Sequence, residues 1–131
     1  MKKLVALFVS LGLLMYFGMN SQLIMDQTMK WADKNTENPD APEVIMRAAV
    51  WCDITGGDRQ AMELYRTVWE RYPKAAPYCA QALYETAYIV SQGTARMNAN
   101  QYLQKIFDEY ADQEKWRLKA KALWDEVNHV I

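Results

Sequence analysis

The chain opens on an apolar run, Leu4 to Met19 (LVALFVSLGLLMYFGM), preceded by Lys2 and Lys3. A polar step, Asn20-Ser21-Gln22, separates this run from Leu23-Ile24-Met25, and the first acid is Asp26. Counted to Met25 the uncharged segment has 22 residues. As a helix it would be roughly 33 Å long, enough to cross a hydrocarbon core of about 30 Å. The pattern therefore predicts a transmembrane helix over Leu4 to Met25, within an anchor and juxtamembrane extension of residues 1–34. With the lysines ahead of the apolar run, the N-terminus is expected in the cytoplasm and the rest in the periplasm or outside. A cleaved secretory signal is the other reading, although Gly18, Asn20 and Ser21 are poorly placed for an A-x-A-like site. Trp31 is either an interfacial anchor or a packed core residue.

Residues 33–42, DKNTENPDAP, carry two prolines and no apolar period, so a linker is expected at 35–41. Helical periodicity follows. Ile45, Ala48, Ala49 and Cys52 mark one buried face over about Pro42 to Thr55, stopped by Gly56-Gly57. Asp58 is a candidate N-cap for a second helix carrying Ala61, Leu64, Tyr65, Val68 and Tyr72, which Pro73 ends. A third, about Ala75 to Gln92, has Cys79, Leu83, Ala87 and Val90 in phase. The fourth, capped by Thr94, has Ala99, Leu103, Ile106 and Tyr110, and the fifth, from Glu114, has Trp116, Ala120, Leu123, Trp124 and Val127. No run alternates with period two, so no sheet is expected.

The stretch AMELYRTVWERYP, Ala61 to Pro73, returns 38 positions later as ANQYLQKIFDEYA, Ala99 to Ala111. Ala61 matches Ala99, Tyr65 matches Leu103, Val68 matches Ile106, Trp69 matches Phe107 and Tyr72 matches Tyr110. With Gly56 at the turn and Pro73 at the close, these residues resemble the tetratricopeptide repeat family, a helix-turn-helix unit of about 34 residues. The second unit departs from the pattern: its spacing is longer and Ala111 replaces the closing proline. The usual tryptophan and glycine of the first helix are missing from both units. The longer spacing and the tyrosine-proline ending are similar to repeats of bacterial cell-envelope assembly and scaffolding proteins. The resemblance implies protein binding through an inner groove lined by first helices, and no catalytic residues. The expected architecture is all-α: a transmembrane helix, then a short right-handed TPR-like repeat over 42–131 of about five helices, two and a half repeats.

Composition narrows the function classes. At 51% hydrophobic and 12% aromatic, the chain can bury a core. Its 15 basic and 16 acidic residues give a net charge of -1, with no basic stripe to meet phosphates, which argues against nucleic acid. Cys52 and Cys79 fall near opposite ends of their helices. If equivalent helices run parallel, their axial offset of about 10 Å exceeds the ~7 Å a disulfide spans, so two buried free thiols are expected.

Chemistry is sparse. His129 is the one histidine, and Glu126-x-x-His129 is only half of a carboxylate di-metal motif. No phosphate loop is present, and Asp108-Glu109 and Asp125-Glu126 read as solvated helix flanks. No enzyme activity, metal or cofactor is expected. Tyr84 and Tyr88, spaced i, i+4, could line a groove with Met46 and Val50, or simply cover their neighbours. Because the chain ends apolar, at Val127-Asn128-His129-Val130-Ile131, the last helix is an incomplete cap, and Val130 and Ile131 are candidate partner contacts.

Two functional expectations follow. One is a single-pass accessory subunit of a larger envelope membrane complex, with other subunits and the bilayer (through Leu4 to Met25) as partners and self-association open. The other is a soluble exported adaptor or chaperone released by signal cleavage.

Overall fold

The computed structural model of the chain describes residues 2–16 and 20–129, with side chains described over 2–9 and 20–129. Seven α-helices and one short 3₁₀ helix account for the regular structure among these residues, and no strand occurs. The helices are α1 (Lys2–Tyr16), α2 (Ser21–Lys34), α3 (Ala41–Ile54), α4 (Asp58–Arg71), α5 (Ala76–Ser91), α6 (Ala99–Glu109) and α7 (Glu114–Asn128). The chain divides into two compact units, Met1–Leu64 and Tyr65–Ile131, the division falling in the sequence of α4.

The N-terminal expectation is overturned. Helix α1 has 15 residues, about 22 Å at 1.5 Å per residue, well short of a bilayer core of about 30 Å. Among the described residues no helix is long and apolar enough to cross a membrane. The transmembrane helix over Leu4 to Met25 is therefore corrected, and with it the signal-anchor, the membrane localisation and the inside-outside assignment. Part of that segment, residues 17–19, lies outside the described residues. The physical reason is local. Asn20 is extended (φ -80°, ψ 162°) and its side chain accepts the Leu23 N–H at 2.9 Å, starting a new helix. Leu23-Ile24-Met25 thus belongs to α2, which also carries Asp26, Lys30, Asp33 and Lys34.

In the first unit α2 packs on α3. The buried stripe of α2 is Ile24, Thr28 and Ala32, an i, i+4, i+8 series. It has one strong apolar residue in three, which is why hydropathy alone misses it. Helix α3 starts with Pro42 in its first turn and buries Val44, Ile45, Met46, Ala48, Ala49 and Cys52. Its C-terminus closes in a Schellman motif. Gly57 N–H bonds Cys52 C=O at 2.7 Å, Gly56 N–H bonds Asp53 C=O at 3.2 Å, and Gly56 takes φ +86°. Glycine suits that left-handed position because it has no Cβ. Gly57 is required for a second reason: a Cβ there would collide with the Ser21 side chain at the start of α2. Side chains complete the junction, with Ser21 Oγ 3.2 Å from Thr55 Oγ1, and Gln22 Oε1 accepting from Arg59 at 2.6 Å and Gln60 at 3.2 Å. Asp58 is the first residue of α4 and not its cap.

In the second unit α5 packs on α6, and α7 packs on both. Asn100, near the start of α6, and Asn128, at the end of α7, exchange amide bonds at 2.8 and 2.9 Å, so these helices run antiparallel. Tyr110 hydroxyl donates to Pro73 C=O at 2.9 Å and Cys79 Sγ to Tyr72 C=O at 3.1 Å, satisfying carbonyls left over where α4 ends. Thr94 does not cap α6; a 3₁₀ turn, Arg96–Asn98, leads into it. Three pairs of the sequence self-match share their burial, Ala61 and Ala99, Tyr65 and Leu103, and Val68 and Ile106 being fully buried, whereas Tyr72 is half-buried and its counterpart Tyr110 buried.

Candidate functional site

The helix faces of the second unit build one surface that its core does not consume. The buried arc of α5 includes Cys79, Ala80, Ala82, Leu83, Thr86 and Ala87. Tyr84 and Tyr88 lie one turn apart at the edge of this arc. Their ring centroids are 6.4 Å apart with planes inclined by 29°. Tyr84 also meets Trp116, from the first turn of α7, at 5.8 Å and 43°. Lys115 Nζ lies 4.8 Å from the centre of the Trp116 ring. Lys119 Nζ lies 5.0 Å from the same ring and 5.8 Å from that of Tyr84.

Two helices thus present three adjoining rings, with two ammonium groups over the faces of Trp116 and Tyr84. Tyr84 and Trp116 are half-buried, Tyr88 is 47% exposed, and both lysines are exposed. Each exposed cation–π contact contributes about 0.5–1 kcal/mol, enough to favour a side-chain position without locking it. Neither lysine has a carboxylate partner among the described residues, whereas Lys105 pairs with Glu109 at 2.6 Å and Lys121 with Asp125 at 2.7 Å. Burial, then the nearby Glu85, Tyr88 and Glu126, push the Tyr84 hydroxyl above its ordinary value. It stays protonated at neutral pH, and a hydroxyl can donate as well as accept.

The sequence-predicted contacts divide. Tyr84 and Tyr88 belong to this surface. Met46 is 3% exposed, a core residue of the first unit with no surface for a partner, and Val50 is half-buried on the same helix. Val130 and Ile131 lie outside the described residues. The structure adds Trp116, Lys115 and Lys119. Their signal was present in Lys115-Trp116-Arg117-Leu118-Lys119, where an i, i+4 lysine pair flanks a tryptophan.

Among the described residues, reactive groups do not converge elsewhere. Among the described residues no three His, Cys, Asp or Glu side chains are placed to hold a metal ion. Cys52 and Cys79 are buried and free. Burial, opposed by a hydrogen bond to Ser21 and reinforced by Asp53, pushes the Cys52 thiol up to about 11. Burial likewise raises Cys79, against the opposing influence of the neighbouring Tyr110 hydroxyl. Thiols held protonated in this way are poor nucleophiles. A polar cleft of 380 Å³ beside Asn20, Ser21, Gln22 and Thr55 in the first unit holds side chains already bonded to one another. Comparison with protein-family models, curated proteins and solved structures gave no match.

Proposed function

We propose that this chain is a non-catalytic protein-binding module, a short helical repeat of the tetratricopeptide type, that recognises its partner through the α5–α7 aromatic shelf. The observation that carries the reading is the shelf itself, with Tyr84, Tyr88 and Trp116 contiguous and two lysines over the faces of Trp116 and Tyr84 that have no carboxylate partner among the described residues. Tyrosine and tryptophan supply large, rigid contact area at small entropic cost, and they dominate binding energy where interfaces have been scanned. The matched burial of three pairs in the self-match, Ala61 and Ala99, Tyr65 and Leu103, and Val68 and Ile106, supports the repeat architecture.

Affinity purification from the source cells, with the wild-type chain and the Tyr88→Ala variant, tests this reading. Tyr88 lies outside the buried core, so its truncation is expected to leave the fold intact by circular dichroism. The expected result is a stoichiometric partner with the wild type, recovered about tenfold less with the variant, as a loss of about 1.4 kcal/mol gives. Equal recovery with both proteins would rule the shelf out as the recognition surface.

A further inference from the structure

The charge on the shelf specifies its partner further than the rings do. Lys115 and Lys119 are four residues apart, one turn of α7, and flank Trp116 on the same side. They lie in the first half of α7, whose N-terminal end adds a partial positive charge. Each ammonium touches a ring face and, among the described residues, no carboxylate, so each keeps N–H donors for an incoming anion. Glu126, seven residues beyond Lys119 on α7, and Glu85 on α5 act on the Tyr84 hydroxyl, so the carboxylates lie on the tyrosine side of the surface and the ammonium groups on the tryptophan side. The charge is therefore graded, and it ends against an apolar platform formed by Tyr84 and Tyr88.

We propose that the α5–α7 shelf takes a short acidic segment of a partner protein, its carboxylates on Lys115 and Lys119 and an aliphatic or aromatic side chain on the rings of Tyr84 and Tyr88. This rests on the protein-binding reading of the same shelf and names the class of segment that fits it. Complementary charge fixes the register and speeds encounter, while the rings supply the apolar contact that slows release. A nucleic acid fits less well. Two lysines neutralise few phosphates.

A random dodecapeptide phage library selected on the full-length protein tests the proposal. Enriched sequences are then synthesised with both termini capped and measured by fluorescence anisotropy, beside a dodecameric oligothymidylate. The expected result is enrichment of Asp and Glu next to an apolar residue. Affinity then falls about tenfold in the K115Q/K119Q double variant and about fivefold in Tyr88→Ala, and weakens as salt rises. Neutral or basic peptides whose binding is lost in Tyr88→Ala would overturn the acidic assignment and leave the shelf as a protein-binding surface. Tighter binding of the oligothymidylate, in competition with the peptides, would overturn it in favour of a nucleic acid. Failure to select any peptide sensitive to Tyr88 or to the lysine pair would overturn both this proposal and the reading beneath it.

Discussion

Thr28 and Thr86 hold similar positions, each buried within a helix, one in each unit, and they are treated differently. Thr28 Oγ1 donates to Ile24 C=O at 2.7 Å, the usual way a helical threonine satisfies its hydroxyl. Thr86 Oγ1 makes no hydrogen bond. The contrast extends beyond these residues. In the first unit, Gln22 bonds Arg59 and Gln60, Ser21 meets Thr55, and Arg47 pairs with Glu43 at 2.9 Å while covering the Phe8 ring at 5.1 Å. That unit exposes apolar surface too, with Trp51 at 41% and Ile54 at 70%, but exposed apolar groups alone name no partner. The second unit leaves Lys115 and Lys119 without carboxylates, among the described residues, beside an open aromatic shelf. Unused polar capacity next to rigid rings is the more informative surface, because it states a charge as well as a shape.

If the units differ in polar satisfaction and not in packing, core truncations should cost the same in each. Ile24→Ala in α2 and Leu103→Ala in α6 remove side chains with no exposure and should each cost about 2–5 kcal/mol in urea unfolding. A cost below about 1 kcal/mol at Ile24 would mean that α2 is only loosely held, and would break the comparison. The tight junction of the first unit predicts the next largest effect. Gly57→Ala should cost about 1–3 kcal/mol through its collision with Ser21, and Ser21→Gly in the same chain should recover much of it. Additive effects in that double-mutant cycle would show that the contact is not the cause.

The threonines sharpen the comparison by sign. Thr86→Val keeps the shape, removes an unbonded hydroxyl and should stabilise by about 1 kcal/mol. Thr28→Val loses a bond and should destabilise by a similar amount, about 1 kcal/mol. The same sign at both positions would contradict the account. Cys52 contributes an effect absent at neutral pH. The fold raises its thiol from 9.0 to about 11, so the unfolded chain ionises first as pH rises. The stability held by the neutral thiol is intact below pH 9.0 and is lost through the window up to about 11. Cys52→Ala should flatten that part of the pH–stability curve, and an unchanged slope would remove Cys52 as its source.

Much of the helical frame was legible because its periodic residues are strongly apolar and its breaks are chemically explicit. Leu64, Val68, Leu83, Leu103 and Ile106 are fully buried where periodicity put them, and Gly56-Gly57 and Pro73 end helices where the rules place such ends. The N-terminal region was misread because hydropathy averages over a window. Asn20 looked like a polar lapse within one long apolar segment, whereas its side chain caps a second helix whose buried stripe includes Thr28 and Ala32. The shelf was half legible. The i, i+4 spacing of Tyr84 and Tyr88 marks one face of α5, but only tertiary packing brings Trp116 and its lysines to that face. Met46 shows the converse, since its apolar character suits a groove and a core equally and packing decided for the core.

The central claim is that recognition belongs to the second unit's shelf and not to the apolar surface of the first. Photo-crosslinking in the source cells tests it directly, with benzoylphenylalanine placed in turn at position 88 and at position 54. The account predicts one discrete protein adduct from position 88, lost when Lys115 and Lys119 are replaced by glutamine, and none from position 54. Adducts from position 54 alone, or an adduct at 88 that persists without the lysines, would contradict it.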